Sequence, residues 1–250
     1  MAEHRTGAQA VERALAVLDC FATSDGDNGV SDIAALTGLS ISTTHRLMRA
    51  LLRAGLLAQD DRTERYHLGV VLVALGRRAE AHLGFDRLLP HLQALATRTG
   101  ESVNLGTRVG DEILIGVHVA SSQPLRFDQP AGQRVAVHAS AMGKALLAFA
   151  ADPEAEVAAL GDLARFTGST LTTTQALLAD LTETRARGWS MNDGERDPGV
   201  RTIGAPLLDV DGRPIAAVAV QGPALRLADA RLHELADDLV AATSAMRRKM

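Results

Sequence analysis

Ser42, His45, Arg46, Arg49 and Arg53 recur at helical spacing within the stretch Ser40–Arg53. Residues three and four apart share one face of an α-helix. Thr44, Leu47, Met48 and Leu51 fall at i, i+3, i+4 and i+7, which makes the opposite face apolar and buried. Thr43 lies at the edge of the polar face. Arginine donates paired hydrogen bonds to guanine, and serine, threonine and histidine reach other polar edges of bases or phosphates. These residue types at this spacing suit the major groove of DNA, with Arg46 or Arg49 the better candidate for a guanine.

A second group of interest is His138-Ala-Ser-Ala-Met-Gly-Lys144. Ser140 stands where a helix N-cap belongs, so the N–H groups of Ala141, Met142 and Gly143 are left free. A helix N-terminus prefers an anion, and a carboxylate is a natural guest. Glycine at 143 lets a ligand approach the backbone. Lys144 adds charge there or pairs with an acid elsewhere. The competing reading is an ordinary capped helix. A phosphate loop does not fit, because position 138 is His and Ala145 replaces the Ser or Thr that would hold magnesium. A Ser–His hydrolase does not fit either: there is no G-x-S-x-G elbow. No nucleophile–base pair is found, so the sequence indicates no enzyme. Eight histidines without an H-x₃₋₅-H pair, and one cysteine, give no structural zinc motif. No cofactor is indicated. Asn192 and Asp193 end an expected strand with polar groups, for which a turn is the simpler explanation.

The elements that position the first group form a helix-turn-helix. Ser31–Leu36 reads as a short helix opened by a capping-type residue, Thr37-Gly38-Leu39 as a turn, and Ser40 as the cap of the second helix. Leu56–Gln59, a charged tip from Asp60 to Arg65, and Tyr66–Gly69 then read as strand, loop, strand. Such a wing lies against phosphates, which is the role expected of Arg53, Arg62 and Arg65. Helix pairs with glycine turns also occur as ordinary core; here the cap, the arginine face and the wing agree. Before them, residues 1–7 read as a polar tail whose Arg5 could act as an arm. Gln9–Phe21 reads as a bracing helix with Val11, Leu15, Leu18 and Phe21 inward. Asp25–Gly29 is a turn cluster, and Val30 is a candidate for a short extra strand. Cys20 reads as a buried structural thiol.

Charge qualifies the DNA reading. Residues 1–69 carry seven Arg against nine Asp or Glu, so this part is not basic overall. From Ile33 to Gln59, however, there is no acid at all. Phosphate contacts per subunit should then be few and binding salt-sensitive, which favours an oligomer that adds half-sites. The whole chain has 250 residues, a formal net charge of −4 and 46% hydrophobic residues, as expected of a globular protein with ample core. No apolar stretch spans a membrane and the start lacks a signal region, so a cytoplasmic location is expected.

Val70–Leu83 reads as a helix too apolar to stand alone in water. Beyond Gly84 come a helix over Phe85–Thr99, strands at Ser102–Arg108 and Glu112–Val119, and short strand candidates at Leu125–Phe127 and Val135–Val137. Helices follow after Ser140, at Pro153–Leu160 and at Thr173–Arg187. Strands are expected at Trp189–Asn192, Thr202–Leu208 and Pro214–Gln221, then a closing helix over Ala228–Met246. Hairpins without a βαβ rhythm imply an α+β domain on a mostly antiparallel sheet.

The chain resembles the IclR family of bacterial transcriptional regulators. The resemblance rests on Gln9–Leu18, Leu39–Leu47, Tyr66–Gly69, Thr99–Val103, His138–Leu147, Gly199–Pro206 and Gly222–Leu227. It implies a winged helix-turn-helix domain over 1–69, a dimerising linker helix over 70–84 and a GAF-like effector domain over 85–250, often joining dimers into tetramers. It implies an effector pocket lined by Ala141, Met142, Gly143, Asn192, Val200, Thr202, Ala219 and Gln221, taking small carboxylates or aromatic acids. The expected protein is a ligand-responsive regulator, most simply a repressor of metabolic genes, on a pseudo-palindromic operator. Several positions depart from the family: Asn192 for Asp, Ala219 and Gln221 for Ser, Trp189 for Tyr, and Ile41 for a basic residue. The hydrogen-bond inventory of the pocket changes accordingly, so no named effector carries over.

Overall fold

A computed structural model describes residues 3–24 and 26–247; Asp25 of the first turn cluster lies outside the described residues, as does the side chain of Arg5. Two compact units are present, Met1–Leu83 and Gly84–Met250.

The first unit contains α1 (Glu3–Thr23), α2 (Val30–Thr37), α3 (Ile41–Arg53), β1 (Leu57–Gln59), β2 (Tyr66–Leu68) and α4 (Val70–Leu83). Val30 begins α2 rather than a strand; the extra pairing comes from Asn28, whose N–H and C=O both bond Tyr66 at 2.9 Å. The cap of α2 is Gly29 and not Ser31: its N–H donates to Asp32 Oδ2 at 2.9 Å. Gly38 ends α2 at φ 68°, a left-handed conformation that glycine adopts without penalty. Ser40 caps α3, its Oγ accepting from Thr43 N–H at 3.3 Å. Met48, Leu51 and Thr44 face inward onto Val17, Phe21, Ile33, Leu57 and Tyr66.

The expected stripe on α1 is corrected in its first half. Val11 and Leu15 are 59% and 55% exposed, while Val17 and Phe21 are buried. The helix runs 21 residues, roughly 30 Å at 1.5 Å per residue. Only its C-terminal half meets α2 and α3, and Gly7 to Arg13 are all exposed. Cys20 is half-buried rather than buried, its Sγ donating to Ala16 O.

The second unit is a six-stranded, wholly antiparallel sheet covered on both faces. Its strands are β3 (Ser102–Val109), β4 (Glu112–Val119), β5 (Arg134–Ala136), β6 (Ser190–Asp193), β7 (Val200–Leu208) and β8 (Pro214–Pro223), in the order β5-β4-β3-β8-β7-β6. One face packs on α5 (Phe85–Thr99) and α9 (Asp229–Arg247) through Leu88, Leu92, Leu95, Leu235 and Leu239. The other packs on α6 (Ala141–Ala148), α7 (Pro153–Ala159) and α8 (Thr174–Arg187) through Met142, Leu147, Leu177 and Leu181. A bulge between Leu105 and Gly106 resets the alternation of the β3–β4 hairpin. Ile113 and Ile115 therefore join the α6 core, whereas Val117 and Val119 pack with α5.

The strand expected at Leu125–Phe127 does not form; residues 120–133 are an irregular strap. Side chains satisfy its backbone where a ladder would have. Arg226 Nη1 donates to Leu125 O at 2.6 Å, and Gln221 Nε2 to Phe127 O at 3.3 Å.

Two glycines set the height of α6 above the sheet. A Cβ at Gly143 would collide with the Val137 carbonyl, and one at Gly204 would lie 2.7 Å from the Ala141 backbone. Neither obstacle is a flexible side chain that can move aside. Gly143→Ala should therefore cost about 1–3 kcal/mol of stability through overpacking. Thermal unfolding checks this, and an unchanged Tm would show that the helix can lift without penalty.

Candidate functional site

The outer face of α3 carries Ser42, His45, Arg46, Arg49 and Arg53, all exposed. Among the described residues none of these three arginines has an acidic partner. Thr43 is only partly exposed, and its Oγ1 accepts from Ser40 Oγ at 2.9 Å, so the cap engages it. Ile41 is 64% exposed on the first turn.

The wing tip is organised by Asp60. Its Oδ1 accepts from the N–H groups of Arg62 and Thr63 at 2.9 and 2.7 Å, and from Thr63 Oγ1 at 3.0 Å. These bonds, the Thr63 N–H foremost, hold the Asp60 carboxyl below the usual carboxylate range. Glu64 adopts φ 55° to close the loop. Arg62 projects from this loop, exposed. Arg65 is differently placed: it binds Asp32 Oδ2 at 2.7 Å through Nη2 and the Asp27 carbonyl at 2.9 Å through Nε. It ties the wing to the start of α2.

In the second unit a cavity of about 20 Å³ opens between the start of α6, the end of β6 and the strap. Ala141, Met142, Asn192, Val200 and Thr202 line it. Gly143, Ala219 and Gln221 do not. The Gly143 N–H is taken by Ser140 Oγ at 3.0 Å, and the missing Cβ there admits the strand backbone rather than a ligand. Ala219 is fully buried in the core beneath α6. Gln221 lies beside the strap, donating to Phe127 O.

Asn192 uses both polar atoms of its amide: Nδ2 donates to Ala139 O at 2.6 Å and Oδ1 accepts from Glu195 N–H at 3.0 Å. It joins the turn after β6 to the entry of α6. Phe127 and Gln129 of the strap, and Arg196 and Asp197 of that turn, also line the cavity. Sequence reasoning missed these four, because both segments are irregular and no periodicity marks them.

Lys144 points away from solvent, 1% exposed, with Nζ 2.5 Å from Glu195 Oε1 and 3.2 Å from Asp180 Oδ2. Two carboxylates share one ammonium in a buried site. Burial is the chief cause that raises the Glu195 carboxyl above its usual range; Lys144 opposes the shift, and Asp180 and Asp193 add to it. Thr170 Oγ1 donates to Glu195 O at 2.6 Å and Thr167 Oγ1 to Gly194 O at 2.7 Å, fixing the same turn. Lys144 is thus a structural cation of the core and does not line the cavity. Among the described residues no cluster of three or more His, Cys, Asp or Glu could hold a metal ion.

A winged helix-turn-helix with an open cationic helix face, and a separate α+β unit with a small cavity, define a DNA-binding transcriptional regulator of the two-unit kind. Known proteins agree. The IclR helix-turn-helix domain family matches residues 10–61, and the bacterial transcriptional regulator IclR C-terminal family matches residues 85–248. The chain belongs to the IclR family of transcriptional regulators.

Its relatives include the HTH-type transcriptional regulator BhcR of Paracoccus denitrificans, 37% identical over 96% of this chain and 87% of that protein. The HTH-type transcriptional repressor AllR of Escherichia coli is 33% identical over 90% of this chain and 84% of its own length. Among solved structures, the IclR of Thermotoga maritima superposes with a TM-score of 0.76 at 26% identity, covering 96% and 98% of the two chains. An IclR homologue of Microbacterium hydrocarbonoxydans complexed with 4-hydroxybenzoate shares the fold, with a TM-score of 0.79 at 24% identity over 94% and 99%. The relatives are regulators, not enzymes, and so is this chain. No helix among the described residues is long and apolar enough to cross a membrane.

The Glu195 shift has a measurable consequence. A carboxyl raised on folding binds its proton where the unfolded chain has released it. Its contribution to stability is present below the unfolded range and lost as pH rises through the folded one. Glu195→Gln stays neutral throughout. The Tm of the variant relative to wild type should therefore improve between pH 4 and pH 7. A difference independent of pH would show that Glu195 titrates normally.

Proposed function

We propose that the protein is a one-component repressor whose affinity for a pseudo-palindromic operator is set by a small carboxylate effector. The observation that carries the DNA half is the exposed face of α3. Ser42, His45, Arg46 and Arg49 contact base edges, while Arg53 and Arg62 contact phosphates. Thr43 and Arg65, both engaged within the unit, help through positioning. With so few phosphate contacts per subunit, useful affinity needs two half-sites.

A second copy of the chain supplies the other half-site through α4. Val70, Val73, Leu75 and Leu83 are exposed on this helix, and none of its residues is buried. A helix this apolar loses free energy by standing in water, and a homodimer removes that cost. Tetramers through the effector unit follow the family pattern.

The effector reading is supported by the cavity at the start of α6. Ala141 and Met142 line it, at the positive end of a helix dipole. At about 20 Å³ the cavity has room for one water-sized group. An effector of several heavy atoms must displace part of the wall, and the strap 120–133 is a wall segment without a ladder. Repression is the sign carried by relatives such as AllR, and metabolic genes are the targets we assign.

Arg46→Ala should weaken operator binding by about 1–3 kcal/mol with the fold intact. Fluorescence anisotropy on DNA upstream of the protein's own gene, against a scrambled duplex at two salt concentrations, reads this directly. An unchanged Kd would remove Arg46 from the interface. Equal binding of both duplexes by wild type would remove sequence reading altogether.

A further inference from the structure

Arg196 is the cavity-wall group with least structural explanation. It sits in the turn after β6 and its side chain is 18% exposed. Its Nε pairs with Asp197 Oδ2 at 2.9 Å. Its Nη1 is buried and has no hydrogen-bond partner. A guanidinium cannot shed its charge or its donors, so an orphaned N–H here remains a standing demand for an acceptor. The other cation nearby, Lys144, is ion-paired with Glu195 and Asp180 and does not line the cavity.

The same cavity holds a second, independent set of donors. Ser140 takes the N–H of Gly143 through Oγ and that of Lys144 through its carbonyl, both at 3.0 Å. Ala141 and Met142, the first two residues of α6, have no intrahelical acceptor for their N–H groups. The only acid lining the cavity among the described residues is Asp197. It offsets part of the Arg196 charge while leaving Nη1 free.

We propose that Arg196 is the counter-ion of the effector and that Asp197 restricts the effector to a single anionic group. This rests on the carboxylate-effector reading above. One carboxylate bridges Arg196 and the start of α6, in charge-assisted hydrogen bonds of the kind a guanidinium fork makes best. A second carboxylate on the same molecule meets Asp197 and is repelled. The apolar part of the wall, Phe127, Val200 and Met142, takes the body of the ligand, beside the polar side chains of Gln129, Asn192 and Thr202. The ligand class is therefore a small monocarboxylate.

The test is calorimetric titration of the full chain with glycolate, propionate and 4-hydroxybenzoate, their amides, and malonate as the dicarboxylate. Wild type should bind at least one monocarboxylate and prefer it to the corresponding amide and to malonate. Arg196→Gln should weaken that acid tenfold or more and leave the amide unchanged; Arg196→Lys should recover part of the loss. Asp197→Asn should tighten the acid and admit malonate, a gain that a folding defect cannot produce. If wild type prefers an acid and Arg196→Gln binds it equally, Arg196 is not the counter-ion, while the carboxylate reading stands. If wild type binds no acid of the set, or binds amide and acid alike, both readings fall. Malonate binding as tight as propionate in wild type would overturn the role of Asp197.

Discussion

A buried ammonium organises the effector unit. Lys144 is on a helix whose every residue is buried, and a charge in that setting must be matched or the helix cannot dock. Glu195 and Asp180 match it from two directions, the turn after β6 and the middle of α8. The requirement therefore reaches across three elements. It fixes where the turn 194–199 lies, and with it Arg196, Asp197 and the side of the cavity they form. Asn192 repeats the tie through neutral groups, linking the same turn to the entry of α6. Gly143 and Gly204 complete the arrangement by letting α6 settle onto the sheet. Cavity geometry is thus a by-product of neutralising one lysine.

The first unit solves a different electrostatic problem. The chain is acidic overall, yet must present a cationic surface. It does so by segregation. The acids of this unit are placed before Ile33 or after Gln59, and several are occupied: Asp32 caps α2 and holds Arg65, and Asp60 knots the wing tip. α3 is left with its arginines unopposed. A single local field is thereby built without a basic domain.

What could be read from the sequence follows from how locally each feature is encoded. The inward face of α3, the Ser40 cap, the wing strands and the antiparallel sheet all have short-range patterns, and they appear where the periodicity places them. Errors fall where a distant partner decides. Val11 and Leu15 repeat at helical spacing, but the unit they would pack on is shorter than α1. Gly143 looked like an opening for a ligand, whereas the Val137 backbone fills it. The strap could not be foreseen, because its bonds to Arg226 and Gln221 span about a hundred residues of chain. Arg196 and Asp197 carry no sequence signature for the same reason: their meaning comes from the cavity they border.

The strap also has latches on its other side. Asn104 Nδ2 donates to Gln129 Oε1 at 3.2 Å, His118 lies 3.2 Å from Asp128, and Arg226 grips Glu101 through two bonds while holding Leu125. If binding requires these latches to open, the competent form is a fraction of the molecules. Apparent affinity then equals the intrinsic affinity scaled by the fraction of molecules that are open. Sensitivity to the signal becomes adjustable from outside the cavity, because loosening one latch lowers the response threshold without altering a single contact to the ligand. Related regulators can in this way share one recognition chemistry and still answer at different concentrations.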